Sequence, residues 1–211
     1  LRGNYMTVGR TADAEIVIQK SRFIGHAARA ETEAEALEFI ESIKNTHRSA
    51  THNCSAYLIG EHDSIQKAND DGEPSGTAGV PILEVLKKQG LKDTVIVVTR
   101  YFGGIKLGGG GLIRAYGKSA TEALAAAGIV ERRLHELMKV SIDYGWLGKL
   151  ENEVRQSAYP LKDILYAENV DILIYVPVEE TENFTNWINE LTNGQAVIQP
   201  DGSEFLEFHV S

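Results

Sequence analysis

The sequence predicts an α+β protein of two domains. Three observations carry this reading. Over the first two-thirds of the chain, short alternating or β-branched apolar stretches are interleaved with stretches of helical period. From residue 137 onward the elements come in the order β-α-β-β-α-β, the ferredoxin-like pattern. Charge divides at the same place. Residues 1–136 hold 17 Lys and Arg against 17 Asp and Glu, residues 137–211 hold 4 against 13, and the net charge of −9 therefore lies in the last third. The expected domains are 1–132 and 133–211.

In order along the chain, AEIVIQ alternates, KS turns and RFIGHAAR returns, which predicts a strand pair over 14–30. A helix is predicted over 32–44. Thr32 and Glu35 suit a capping box there, and Leu37, Ile40 and Ile43 form an apolar stripe. CSAYLIG (54–60) and SIQKA (64–68) read as a second strand pair. Pro81 stands where a helix begins and Gly90 where it ends. TVIVVTRYF (94–102) is the most β-branched run and predicts a central buried strand. After the glycine run 103–111, a helix is predicted from Leu112 to Gly128. In the last third, MKVSIDY predicts a strand, LGKLENEVRQSA a helix and KDILYAENVDILIYVP a strand pair. VEETENFTNWINELTN carries Phe184, Trp187, Ile188 and Leu191 at helical spacing, so Trp187 reads as core. AVIQPDGSEFLEFHV predicts a hairpin around Asp201 and Gly202.

Composition excludes several classes. Of 211 residues 43% are hydrophobic and 24% charged, which is ordinary for a folded globular chain. No run approaches the roughly 18 apolar residues of a membrane span. The polar opening LRGNYMTVGRTADAE has no signal-peptide core, and a single cysteine, Cys54, suits a reducing compartment. The expected location is the cytoplasm, with no membrane partner. The neutral first two-thirds leaves room for a basic face despite the acidic total.

Candidate chemistry is concentrated between residues 46 and 119. THRSATHNC places Arg48 and His52 just before a strand. The glycine loop NDDGEPSGTAG holds Asp70, Asp71 and Glu73, which read either as Mg²⁺ ligands or as the turn formers that Asp-Gly sequences supply. RYFGGIKLGGGGLIRAYGKS combines Arg100, Tyr101, Lys106, Arg114 and Lys118 with Gly108, Gly109, Gly110 and Gly111. That run reads either as an anion nest of backbone N–H groups or as a turn with close helix–sheet packing. It is not a P-loop. Gly111 lies one residue too far from Gly117-Lys118-Ser119, which itself sits inside a helical pattern. A dinucleotide fingerprint and a zinc ligand set are both missing, and Cys54, on a strand, reads as a buried apolar residue. Aromatics among basic residues, as in Tyr101, Phe102 and Tyr116, suit single-stranded nucleic acid, and Tyr116, which is helical, reads alternatively as core.

Four motifs in order, SRFIG (21–25), ATHNCSAY (50–57), DDGEPSGTAGVPIL (70–83) and VVTRYFGGIKLGGGGLIRAYGKS (97–119), resemble the IMPACT/YigZ family in its bacterial two-domain form. The resemblance implies a first domain like the second domain of ribosomal protein S-five, a fold shared with domain IV of elongation factor G and with GHMP-type kinases. It implies a second domain like the ferredoxin-like domain V of that factor. Translational control or nucleic-acid binding is the function it implies.

The expectation is a non-enzymatic RNA- or ribosome-binding protein. Arg48, His52, Arg100, Lys106, Arg114, Lys118 and the four glycines would meet phosphate, and Tyr101 would stack. Sequence-specific DNA binding and a bound cofactor are not expected. Two other classes stay open: a nucleotide-binding enzyme or sensor that uses the glycine loops, and a protein-interaction adaptor built on the second domain.

Overall fold

The β-branched run that the sequence marks as central is the middle strand of a five-stranded antiparallel sheet. The computed structural model describes residues 2–210. They form two units, one of residues 2–132 with 207–210 and one of residues 133–206. The first unit runs β1 (Tyr5–Val8), β2 (Ala12–Ile18), β3 (Ser21–Arg29), α1 (Glu33–Thr46), β4 (His52–Ile59), β5 (Ile65–Asn69), α2 (Gly79–Lys88), β6 (Thr94–Tyr101) and α3 (Gly108–Ala127). Its sheet has the order β2-β3-β6-β4-β5. Because side chains alternate, Ile96 and Val98 of β6 pack into the cluster under α2 and α3, whereas Val95 and Val97 pack against α1.

Helix starts differ from expectation in instructive ways. The Oγ1 of Thr32 accepts from the N–H of Glu35 at 3.2 Å, but the Glu35 carboxylate reaches back to the N–H of Glu31 (2.7 Å), not to that of Thr32. The buried residues of α1 are Ala36 and Ile40, with Ile43 packed beside them, while Leu37 is 52% exposed. A small residue lets α1 lie close to the sheet, and the leucine is left outside. Helix α2 starts at Gly79, two residues before Pro81. It ends as expected, with Gly90 at φ +68 and Leu91 N–H donating to the Leu86 carbonyl at 3.1 Å. Helix α3 starts at Gly108, so all four consecutive glycines lie in its first turn, and Gly117-Lys118-Ser119 falls in mid-helix. Gly25 on β3 admits α3 at close range, for a Cβ there would lie 2.6 Å from the Ser119 carbonyl oxygen.

The remaining elements are β7 (Ile129–Ile142), α4 (Tyr144–Gln156), β8 (Leu161–Tyr166), β9 (Val170–Pro177), α5 (Thr181–Leu191) and β10 (Val197–His209), and the second unit holds them from Arg133 to Leu206. The strand order β10-β7-β9-β8 is ferredoxin-like. Val140, Val154, Ile172, Ile174, Phe184 and Ile188 form its core, and Trp187 packs against them. The hairpin expected at Asp201 and Gly202 is absent. Gly202 takes φ +93 without reversing the chain, because β10 pairs with the 14-residue β7 instead of with itself. Two features escaped the sequence reading: β1, whose four residues are too short to show a period, and the start of β7 at Ile129.

On the α1 side of the first sheet a polar chain crosses three strands. Thr99 spends its hydroxyl hydrogen on Asn53 Oδ1 (2.7 Å), so it accepts from His26 Nε2 at 3.2 Å. His26 is buried. Burial first, then the neighbouring His47, hold its imidazole down from 6.5 to about 4, against an opposing pull from Asp13. The unfolded chain therefore takes up a proton that the fold refuses. This contribution is fully present above about pH 6.5 and is lost as the pH falls through about 4, a change of about 3 kcal/mol. Urea unfolding from pH 7 to 4 is expected to show that loss, and His26→Gln, which keeps a donor toward Thr99, to flatten it. An equal acid sensitivity in the variant would exclude His26 as its source.

Candidate functional site

The loop between β5 and α2 is built on one carboxylate. Asp70 Oδ1 accepts from the N–H groups of Ala78 (3.1 Å) and Gly79 (2.8 Å), and Oδ2 accepts from Gly76 (2.9 Å). Burial alone would raise the Asp70 carboxyl. The N–H groups of Gly76, Gly79 and Ala78 outweigh it and hold the group below the usual carboxylate range. Asp71, at φ +43, accepts from the Asn53 N–H at 2.7 Å. Glu73 turns the other way, into the protein. The three carboxylates thus diverge, and among the described residues no trio of His, Cys, Asp or Glu is placed to hold a metal ion. The Mg²⁺ reading of Asp70, Asp71 and Glu73 is corrected to the turn reading: both Asp70 oxygens and Asp71 Oδ2 accept from backbone N–H groups, and Glu73 Oε1 accepts from Arg100 and Tyr116.

Glu73 is the focus of the site. Its Oε1 accepts from Arg100 Nη1 at 2.6 Å and from the Tyr116 hydroxyl at 3.0 Å, and lies 3.3 Å from His52 Nε2. The other ring nitrogen of His52 donates to the Asp71 carbonyl (2.8 Å), which fixes the ring's orientation. Arg100 is 5% exposed, its Nη2 reaches Ser21 Oγ at 3.3 Å, and its cation lies between the Phe23 and Phe102 rings at 5.5 and 5.4 Å. Arg100 was expected to meet phosphate; instead its charge is spent on Glu73. Beneath lies Cys54, whose Sγ donates to the Asp70 carbonyl. Burial, with the Glu73, Asp71 and Asp70 charges adding to it, pushes this thiol up to about 12. Burial, Cys54 and Glu73 likewise hold the Tyr116 phenol far above its ordinary value.

Above this group opens a cleft of about 420 Å³, with His52, Glu73 and Arg100 in its lining. Phe102, Leu107 and Leu112 give it apolar lining, and Lys106, Gly108 and Gly109 line it as well. A neighbouring groove of about 280 Å³ shares Lys106 and Leu107 and adds Gly111, Arg114 and Lys118. The first turn of α3 has no side-chain cap and no acid. The Arg114 guanidinium folds back over that turn, since a Cβ on Gly110 would lie 3.5 Å from its Nη1.

The structure therefore brings His52, Arg100, Lys106, Arg114, Lys118 and the glycines Gly108, Gly109, Gly110 and Gly111 to one side of the sheet. It does not bring Arg48 or Tyr101 there. Tyr101 follows Arg100 on β6 and so faces the α1 side, where its hydroxyl meets His47 Nδ1 at 2.7 Å and Arg22 lies over its ring. Arg48 follows α1 and donates to Asn45. Ser21 is a site residue that the sequence does not mark, and Tyr116, an aromatic suited by sequence to stacking, is instead buried with its hydroxyl on Glu73. Tyr116 sits at helical spacing from Leu112, a pattern that signals core and gives no hint of its hydroxyl's partner.

Two measurements check this geometry. Arg100→Leu leaves the Glu73 charge buried without its cation and is expected to destabilise by about 3–5 kcal/mol in urea unfolding. A loss under 1 kcal/mol would mean that the pair is not buried as described. Cys54 is expected to resist a disulfide reagent at pH 8 in the folded protein and to react at once in urea. Equal rates in both states would contradict its buried, protonated state.

Comparison with known proteins agrees with this architecture. Residues 19–124 match the family model of the Impact N-terminal domain, and residues 140–195 match a domain of unknown function, DUF1949. An IMPACT family member of Bacillus subtilis, YvyE, is 62% identical over 204 residues, covering 97% of this chain and 94% of the relative. The IMPACT family member YigZ of Escherichia coli is 45% identical over 109 residues, 51% of this chain and 53% of the relative. A protein IMPACT homolog of Dictyostelium discoideum is 42% identical over 96 residues, 43% of this chain and 27% of its own. A crystal structure of a hypothetical protein superposes with a TM-score of 0.60 at 29% identity, covering 96% of this chain and 99% of that one.

Proposed function

The chain belongs to the IMPACT family, and from that premise we propose that its first domain is a non-enzymatic binding module for single-stranded RNA, free or on the ribosome, acting in the cytoplasm to modulate translation. The observation that carries this reading is the row of exposed cations, Lys106, Arg114 and Lys118, beside the uncapped first turn of α3. Among the described residues none of the three has a carboxylate within ion-pair distance. Helix N-termini repel cations, so an arginine folded over one that lacks any acid favours an anion as the third party. Phe102, 47% exposed where the cleft opens, adds a surface for a base. A binding role suits the chemistry underneath: the thiol is kept protonated, and Glu73 Oε1 is engaged by Arg100 and Tyr116. Among the described residues no helix is long and apolar enough to cross a membrane.

Binding of single-stranded RNA and co-sedimentation with ribosomes, measured across a salt series, test the proposal. Three phosphate contacts predict a slope of about −2 in log affinity against log salt. The variant Lys106→Glu/Arg114→Glu/Lys118→Glu changes only exposed side chains, so it is expected to fold and to lose binding. Absence of binding at low salt, or full binding by the folded variant, would sink the reading.

A further inference from the structure

We propose that the cleft above Glu73 takes a guanine base, so that the strand is read there as well as held. This rests on the RNA-binding reading and names what that site recognises. The Glu73 side chain is 2% exposed, and it lines the cleft. Its Oε1 accepts from Arg100 and Tyr116, whereas Oε2 accepts no hydrogen bond from any described residue. The cleft is thus offered a single anionic acceptor, and the ion pair and the phenol prevent it from turning away. In an apolar, partly closed site such an acceptor is matched only by N–H donors, and a ligand without them leaves it unpaired at a cost.

The four bases differ in this respect. Guanine has two neighbouring donors, N1–H and the N2 amino group, on its Watson–Crick edge. In adenine, cytosine and uracil a donor stands beside an acceptor lone pair, which a carboxylate repels. The rest of the cleft suits a nucleotide. Phe102 offers a ring face, Leu107 and Leu112 offer apolar walls, and a volume of about 420 Å³ admits a base with its sugar. In the same lining, Gly108 and Gly109 have nothing within 4 Å of where a Cβ would stand. That space lets a phosphate approach the α3 N–H groups, with Lys106 as its counter-charge.

The test is fluorescence anisotropy at low salt with labelled RNAs of the form UUXUU, where X is G, inosine, A, C or U. Inosine keeps N1–H and lacks the N2 amino group. The G strand is expected to bind about tenfold more tightly than the A, C and U strands, with inosine between them. Glu73→Gln is expected to abolish the preference, and Phe102→Ala to weaken all five strands alike. Should Glu73→Gln fail to fold, as thermal melting would show, the guanine–inosine–adenine series on the unaltered protein decides. A parallel titration with GMP and AMP separates the two readings. Equal affinities for all five strands, with binding still lost in the triple glutamate variant, overturn the guanine pocket and leave RNA binding standing. GMP-selective binding without any RNA binding does the reverse, and no binding of either overturns both.

Discussion

The first domain is organised around one carboxylate oxygen. Glu73 Oε1 draws together the guanidinium of Arg100 from β6, the hydroxyl of Tyr116 from α3 and the imidazole of His52 from the start of β4. These groups come from separate parts of the chain, and only the fold makes them neighbours. Removing an ion pair from water is costly, and the cost is offset here because the Tyr116 hydroxyl donates to the same acceptor. The junction has a structural consequence. It pins the glycine loop of residues 70–78 against the sheet, and the three N–H groups on Asp70 hold the rest of that loop in shape. It also has a functional one, set by geometry. With Oε1 occupied, Oε2 is the oxygen that the proposed guanine contact uses.

The glycine run has two physical roles that sequence alone does not separate. Four glycines in the first turn of α3 cost conformational entropy and contribute nothing to the core. The helix owes its stability to its later turns, where Ala115, Ala120, Ala123, Leu124 and Ala127 are buried against the sheet and Gly25 admits that face at close range. A well-packed helix body thus supports a bare N-terminus. The backbone N–H groups there are left open beside Lys106 and Arg114, in the arrangement that anion sites use.

Alternation along a strand divides the candidate residues more sharply than their spacing suggests. Arg100 and Tyr101 are adjacent in sequence, yet β6 sends the first toward α3 and the second toward the end of α1. The α1 side then has its own polar order, in which His26, Thr99 and Asn53 link three strands. The acidic excess of the last third belongs to a separate core, built on the ferredoxin-like order of β10, β7, β9 and β8.

What the sequence determined by itself was local and periodic. The β-branched run 94–102 marked the central strand, Thr32 and Gly90 marked helix ends, and the order of elements after residue 137 marked the ferredoxin-like domain. Each of these depends on propensity or period within a few residues. The motifs also placed His52, Lys106, Arg114, Lys118 and the glycines within one region of chain. Only the tertiary structure decided which of them meet. It turned Arg100 from a surface cation into the buried partner of Glu73, made Asp70 a cap instead of a metal ligand, and kept Asp201 and Gly202 inside one strand. In every case the deciding partner lies far away in sequence, or on the opposite face of a sheet, where no local pattern records it.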